Sequence, residues 1–120
     1  MAEFPVLPIM TDALIADTTH MTAEEMGAYV RLLVAMWRHG AHLPNKPAEL
    51  ARIAGVTPRR WNKISERVLR PMTKNGEIIA QKRLTETWIY AQKIRARQSA
   101  NSLKRWKRDY ATGYAKRMPS

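Results

Sequence analysis

Cysteine is absent from this 120-residue chain. Neither a disulfide frame nor a Cys-based zinc site can hold it, which excludes zinc-finger and zinc-ribbon architectures. Glycine is scarce, standing only at positions 27, 40, 55, 76 and 113. That spacing leaves no Gly-rich phosphate loop and no dinucleotide fingerprint, so a P-loop helicase or loader ATPase of the usual kind is excluded. Long apolar runs are lacking as well. The longest, Leu32 to Trp37, falls far short of the ~20 residues that a membrane helix needs. The first residues, Met1-Ala2-Glu3-Phe4-Pro5, carry an acid where a signal peptide carries positive charge. The expectation is an intracellular, cytoplasmic protein with no membrane partner.

Acidic residues are also few: ten Asp/Glu face 21 Lys/Arg, for a net charge of +11. The excess is uneven. Residues 1–81 hold ten bases against eight acids, or +2, and residues 82–120 hold eleven against two, or +9. Such a tail would associate with nucleic acid through counterion release, or with an anionic membrane surface through the same Coulomb attraction. With 45% hydrophobic residues, the chain has enough apolar surface for one modest core.

The most informative stretch is Pro47 to Leu84. A short helix over Pro47 to Ala54 should stop at Gly55, where a left-handed residue ends a helix. Val56 turns inward, Thr57 caps a second helix, and Pro58 takes its first position, where the missing N–H costs nothing. At 100° per residue Trp61, Ile64, Ser65 and Val68 share one side of that helix. Arg59, Lys63 and Arg70 lie opposite, flanked by Arg60 and Arg67. One side seeks a core and the other seeks anions. A basic surface helix is often only solvated, but this one occupies the second slot of a helix pair, the recognition position of a helix-turn-helix. Pro71 then breaks the helix, and Asn75-Gly76 is a strong hairpin-turn signal between strands Met72 to Lys74 and Glu77 to Arg83. Lys74 near the tip, with Lys82 and Arg83 at the far end, would make this hairpin a basic wing.

Upstream, Met10 to Asp17 reads as a short apolar turn or helix. Thr22-Ala23-Glu24-Glu25 is a capping box opening a helix from Ala23 to His39. Met26, Tyr29, Val30, Leu33, Met36 and Trp37 form its apolar face, and Leu32 and Val34 widen that face until little of the circumference is polar. It should be the centre of the core. From Thr85 to Tyr114 a helix about 45 Å long is expected, part of which must project from a domain of this size. Trp88 should pack on the domain. Farther along, Leu103, Trp106, Tyr110 and Tyr114 form a narrow stripe among Lys104, Arg105, Lys107 and Arg108. Such a stripe more often seats another helix than it stacks on bases, and it is assigned to self-association or partner docking.

Taken together, Asp17-Thr18, Met21 to Tyr29, Trp37-Arg38-His39-Gly40, Leu43-Pro44, Leu50 to Thr57 with Trp61, Val68-Leu69, Gly76-Glu77-Ile78 and Lys82-Arg83-Leu84 resemble the YdaU-type family of phage and prophage proteins. The likeness runs in order over roughly residues 7–110. It implies a winged-helix fold in a replication module, with some members looking like replication initiators that bind origin DNA or assist helicase loading. It also implies a bacterial host cell and association with its nucleoid. The chain departs from the family at Arg70-Pro71-Met72, where aromatic residues usually stand. The run Ala100 to Trp106 resembles the basic, small-residue linker of longer members.

The expected fold is therefore mainly α with a small β-hairpin: a winged helix-turn-helix over residues 1–84 and a basic helical arm over residues 85–120. The expected activity is DNA binding in phage replication, on duplex or single-stranded DNA. Arg59, Asn62, Lys63 and Arg67 would face the groove, with Arg60 and Arg70 flanking. Lys74, Asn75, Lys82 and Arg83 would serve at the wing, and Arg95, Arg97, Lys104, Arg105, Lys107 and Arg108 on the arm. A transcriptional regulator shares the fold and differs in target; an adaptor recruiting a replicative helicase is the alternative of a different class. No enzyme activity, cofactor or metal is expected. His39 in a last helical turn is explained by the helix dipole, and His20 and His42 add no ligand set. Glu24 and Glu25 point about 100° apart and are explained by their first-turn placement. Asp12 and Asp17 have no third acid at a nuclease-like interval.

Overall fold

A computed structural model describes residues 4–109. Its elements run α1 (Thr11–Thr18), α2 (Ala23–Arg38), β1 (His42–Pro44), α3 (Pro47–Ala54), α4 (Pro58–Leu69), β2 (Thr73–Lys74), β3 (Ile78–Ala80) and α5 (Lys82–Asp109). The chain divides after Trp88 into two compact units, Met1–Trp88 and Ile89–Ser120.

In the first unit α2 is the organising helix. Its capping box is complete: the Glu25 amide donates to Thr22 Oγ1 at 3.2 Å, and the Thr22 amide donates to Glu25 Oε1 at 2.9 Å. Tyr29, Leu32 and Met36 are fully buried, as are Leu50 of α3, Val68 of α4 and Ile79 of β3. Burying a large apolar side chain contributes about 1.5–3 kcal/mol, and this cluster from four elements is what fixes α3 and α4 against α2. The apolar face of α2 is narrower than its sequence suggests. Met26 and Val34 are exposed, at 36% and 43%, because α3, α4 and β1 all lie against the side centred on Leu32 and Met36.

Phe4 closes one end of the core. Its ring lies 6.0 Å from that of Trp37 and 5.4 Å, edge on, from that of Trp88. Trp37 Nε1 donates to the Phe4 carbonyl at 2.7 Å, and Trp88 Nε1 donates to the Trp37 carbonyl at 3.3 Å. Both indoles thus satisfy their N–H groups, Trp37 buried and Trp88 half-buried, and Trp88 packs on the domain as expected.

The small β component is a three-stranded antiparallel sheet in the order β1-β3-β2, where the sequence suggested a two-stranded hairpin. Leu43 and Lys74 both stand opposite Ile79 in register. The turn between β2 and β3 is built on asparagine rather than on left-handed glycine: among the described glycines only Gly40 and Gly55 have positive φ. Asn75 Oδ1 accepts from the amides of Glu77 at 3.0 Å and Ile78 at 2.9 Å, an Asx turn.

The second strand is also shorter than expected. β3 ends at Ala80 and α5 begins at Lys82, so Lys82, Arg83 and Leu84 belong to a helix and not to a wing strand. Buried Gln81 is the reason, since its Oε1 accepts from the Leu84 amide at 2.7 Å and so does the work of an N-cap. α5 has 28 residues, about 42 Å of helix.

Candidate nucleic-acid interface

The α3–α4 turn sets the orientation of everything that follows. Gly55 adopts φ 80°, ψ 29°, its amide donates to the Arg52 carbonyl at 3.2 Å, and the Val56 amide donates to the Ala51 carbonyl at 3.1 Å. These two bonds are a Schellman motif. A Cβ at Gly55 would collide with the Arg31 guanidinium of α2. Thr57 Oγ1 then accepts from the Arg60 amide at 3.1 Å with Pro58 in the first turn of α4. The cap, the stop and the proline thus all fall where the sequence puts them.

α4 turns Trp61, Ile64, Val68 and Leu69 into the core. Its outward side carries Arg59, Asn62 and Lys63, all exposed and none engaged in an ion pair with a described residue. The other arginines of this helix stand differently from the expectation that they all reach outward. Arg60 Nε donates to both carboxylate oxygens of Glu24 at 2.9 Å. Arg67 Nε donates to Glu25 Oε1 at 3.0 Å. Arg70 holds Glu66, one turn back on the same helix, at 3.0 Å. The physical reason is proximity: the two acids of the α2 first turn face the flank of α4, and a carboxylate at hydrogen-bonding distance captures a guanidinium.

These pairs leave their mark on the acids. Hydrogen bonding from Arg60 holds the Glu24 carboxyl below its ordinary pKa and raises the Arg60 guanidinium. Glu25 is lowered chiefly by the Thr22 backbone N–H, with Arg67 adding to it against the cost of burial. Arg70 lowers Glu66 in the same way. Arg60 and Arg67 remain partly exposed, at 49% and 41% of their side chains. Each keeps part of its side chain in solvent while its guanidinium ties α4 to α2. The side chain of His20 joins the same junction, its Nε2 lying 2.7 Å from the Arg67 carbonyl. A carbonyl only accepts, so this nitrogen carries the proton and satisfies one of the last carbonyls of α4. Neither the His20 bond nor the Glu24 and Glu25 pairs were foreseen.

At the hairpin, Lys74 is exposed on β2. Asn75 is exposed too, but its side-chain oxygen is engaged in its own turn. Lys82 is exposed at the first position of α5, whereas Arg83 Nη1 pairs with Asp17 at 2.9 Å. Asp17 also accepts from Gln81 Nε2 at 3.2 Å and from the Tyr29 hydroxyl at 3.5 Å. Burial pushes the Tyr29 phenol up to about 12. Arg83 therefore joins a structural knot between α1, α2 and the start of α5.

In the second unit Arg95, Arg97, Lys104, Arg105, Lys107 and Arg108 are all exposed along α5, together with Leu103 and Trp106. Tyr110 and Tyr114 lie outside the described residues. Among the described residues no three His, Cys, Asp or Glu side chains are grouped to hold a metal. The His39 and His42 rings instead meet edge to face, 5.0 Å apart. No helix of the described chain is long and apolar enough to cross a membrane.

Residues 5–87, from the segment before α1 into the first turns of α5, match the family described as a protein of unknown function, DUF1376. The chain belongs to this family. A curated relative of this DUF1376 member is the uncharacterized protein YdaU of Escherichia coli (strain K12), 34% identical over 86 residues. The alignment covers 72% of this chain and 30% of the relative, so the chain spans less than a third of that protein's length. No solved structure matches the chain.

Proposed function

We propose that this DUF1376 member is a DNA-binding protein of a phage or prophage replication module, of the replication-initiator or helicase-loading accessory kind. It would work as a winged helix-turn-helix, with α4 in the groove and the β2–β3 hairpin as the wing. One observation carries this: the second helix of a pair joined by a left-handed glycine turn presents Arg59, Asn62 and Lys63 outward, with no carboxylate among the described residues paired to either cation. Arg and Asn are the side chains that read guanine and adenine edges in a major groove, and Lys follows phosphate. Lys74 on the hairpin supplies a backbone contact outside the groove.

In this reading Arg60 and Arg67 position α4 through Glu24 and Glu25 and give phosphate only the parts left in solvent. The protein binds and does not catalyse. Fuel-driven steps fall to a partner such as a replicative helicase, and the place of action is the nucleoid of the host cell. The test is a duplex titration across salt concentrations. Arg59→Ala with Lys63→Ala should weaken binding and flatten the log-log salt slope by about 1.8 if both residues meet phosphate, and by less if Arg59 reads a base edge. Unchanged affinity in the double variant would overturn the proposal. Footprinting then assigns the target: iterated protected sites beside an origin indicate initiation, and a single palindrome over a promoter indicates regulation.

A further inference from the structure

Resting on the nucleic-acid reading above, we infer that the α5 arm is a second, chemically distinct site, for single-stranded nucleic acid. The two surfaces differ in their aromatic content. On α4 the only aromatic residue, Trp61, is buried at 2% exposure, so its outward side holds Arg59, Asn62, Lys63 and the Glu66–Arg70 pair with no ring to stack on a base. On α5 Trp106 is 62% exposed and Leu103 53%. Arg105 and Lys107 are its neighbours in sequence, each about 100° around the helix from it, and Arg95 lies within about 20° of it on the circumference, about 16 Å back along the axis. An exposed ring on a strongly cationic helix suits unstacked bases, whose faces are hidden inside a duplex and open in a single strand.

Charge and shape decide against a second copy of the arm as the occupant. Residues 89–109 carry seven Lys/Arg and one acid, a net +6, so pairing two arms would bring +12 together along one seam. The heptad positions that such a seam would use, residues 89, 92, 96, 99, 103 and 106, are Ile89, Gln92, Ala96, Ser99, Leu103 and Trp106. Half of them are polar or small, too little apolar surface to offset that repulsion. A polyanion is attracted by the same charges that repel a copy.

The experiment is a titration of the full chain with oligo-dT and with duplex DNA of equal length, following tryptophan fluorescence. Trp37 and Trp61 are buried and Trp88 is half-buried, so oligo-dT should quench chiefly Trp106. Trp106→Ala should weaken oligo-dT binding by about tenfold and leave its salt slope unchanged, because a stacking contact is lost and no charge is. Trp106→Phe should keep most of the affinity, and duplex binding should change little. Arg59→Ala with Lys63→Ala should show the opposite pattern, weak on duplex and near normal on oligo-dT. Equal oligo-dT affinity in Trp106→Ala would overturn the inference, as would competition by poly-glutamate as strong as by oligo-dT. So would a dimer in sedimentation that Trp106→Ala converts to monomer. Unchanged duplex binding in the Arg59→Ala, Lys63→Ala protein would count against α4 and leave the arm intact.

Discussion

Replacing Glu25 by alanine should cost more than its place in an ion pair suggests. Its Oε1 accepts from the Thr22 amide at 2.9 Å and from Arg67 Nε at 3.0 Å, so one atom closes the first turn of α2 and ties α4 to it. Losing a cap costs about 1 kcal/mol, and a pair whose arginine is 41% exposed adds only about 0.2–1 kcal/mol after solvent screening. Together these give roughly 1–2 kcal/mol, a fall of about 5–15 °C in the Tm of a domain of this size. Glu25→Gln retains an oxygen for the Thr22 amide and loses only the charge, so it should cost less than half as much. The pH dependence follows from the same geometry. The folded carboxyl lies below the ordinary 4.5, so its contribution is complete above that value and is lost as pH falls through the lowered folded pKa. Glu25→Gln should flatten that acid limb. Urea melts of the three proteins between pH 3 and 7 measure all of this; if the glutamine variant is as unstable at pH 7 as the alanine variant, the backbone cap is not what Glu25 supplies.

Four further outcomes are expected. Glu24→Ala frees the Arg60 guanidinium and removes an acid beside α4, so duplex affinity should rise and the salt slope steepen by about 0.9; a weaker complex in gel shift would contradict this. Gly55→Ala should destabilise by about 1–2 kcal/mol, because φ 80° is left-handed; the exposed Arg31 guanidinium near the Cβ position can swing aside. Gly76→Ala should be neutral within about 0.5 kcal/mol, since no atom lies within 4 Å of its Cβ position and its φ is not positive; paired thermal melts compare the two. In a spectrophotometric titration of folded protein one tyrosine should ionise near 12 and be absent from Tyr29→Phe. The stability linked to that raised pKa is complete below pH 10 and lost as pH rises through about 12.

Local chemistry made much of this fold legible in the sequence. The Thr22–Glu25 box, the Gly55 stop, the Thr57 cap and Pro58 each act within four residues, and all stand where the sequence placed them. Long-range partners were not legible. β1 is three residues ending in proline, and its identity as a strand rests on pairing with Ile78–Ala80 more than thirty residues later. α5 begins at Lys82 because the buried Gln81 side chain caps it, a role glutamine seldom advertises. The candidate site divides along the same line between local and long-range chemistry. Period and charge located Arg59 and Lys63 on the outward side of α4, but they could not show that Glu24 and Glu25 would reach Arg60 and Arg67 across gaps of 36 and 42 residues.

The absence of cysteine makes the decisive measurement clean. Asn62→Cys places a single thiol between Arg59 and Lys63 on the outward side of α4, and Val34→Cys places one on the exposed side of α2. With a thiol-directed, DNA-reactive crosslinker of short reach, the Asn62→Cys protein should crosslink to duplex DNA efficiently, in a manner competed by excess duplex, and the Val34→Cys protein should not. Equal crosslinking from both positions, or none from Asn62→Cys while the protein is fully bound, would contradict the claim that α4 meets the DNA.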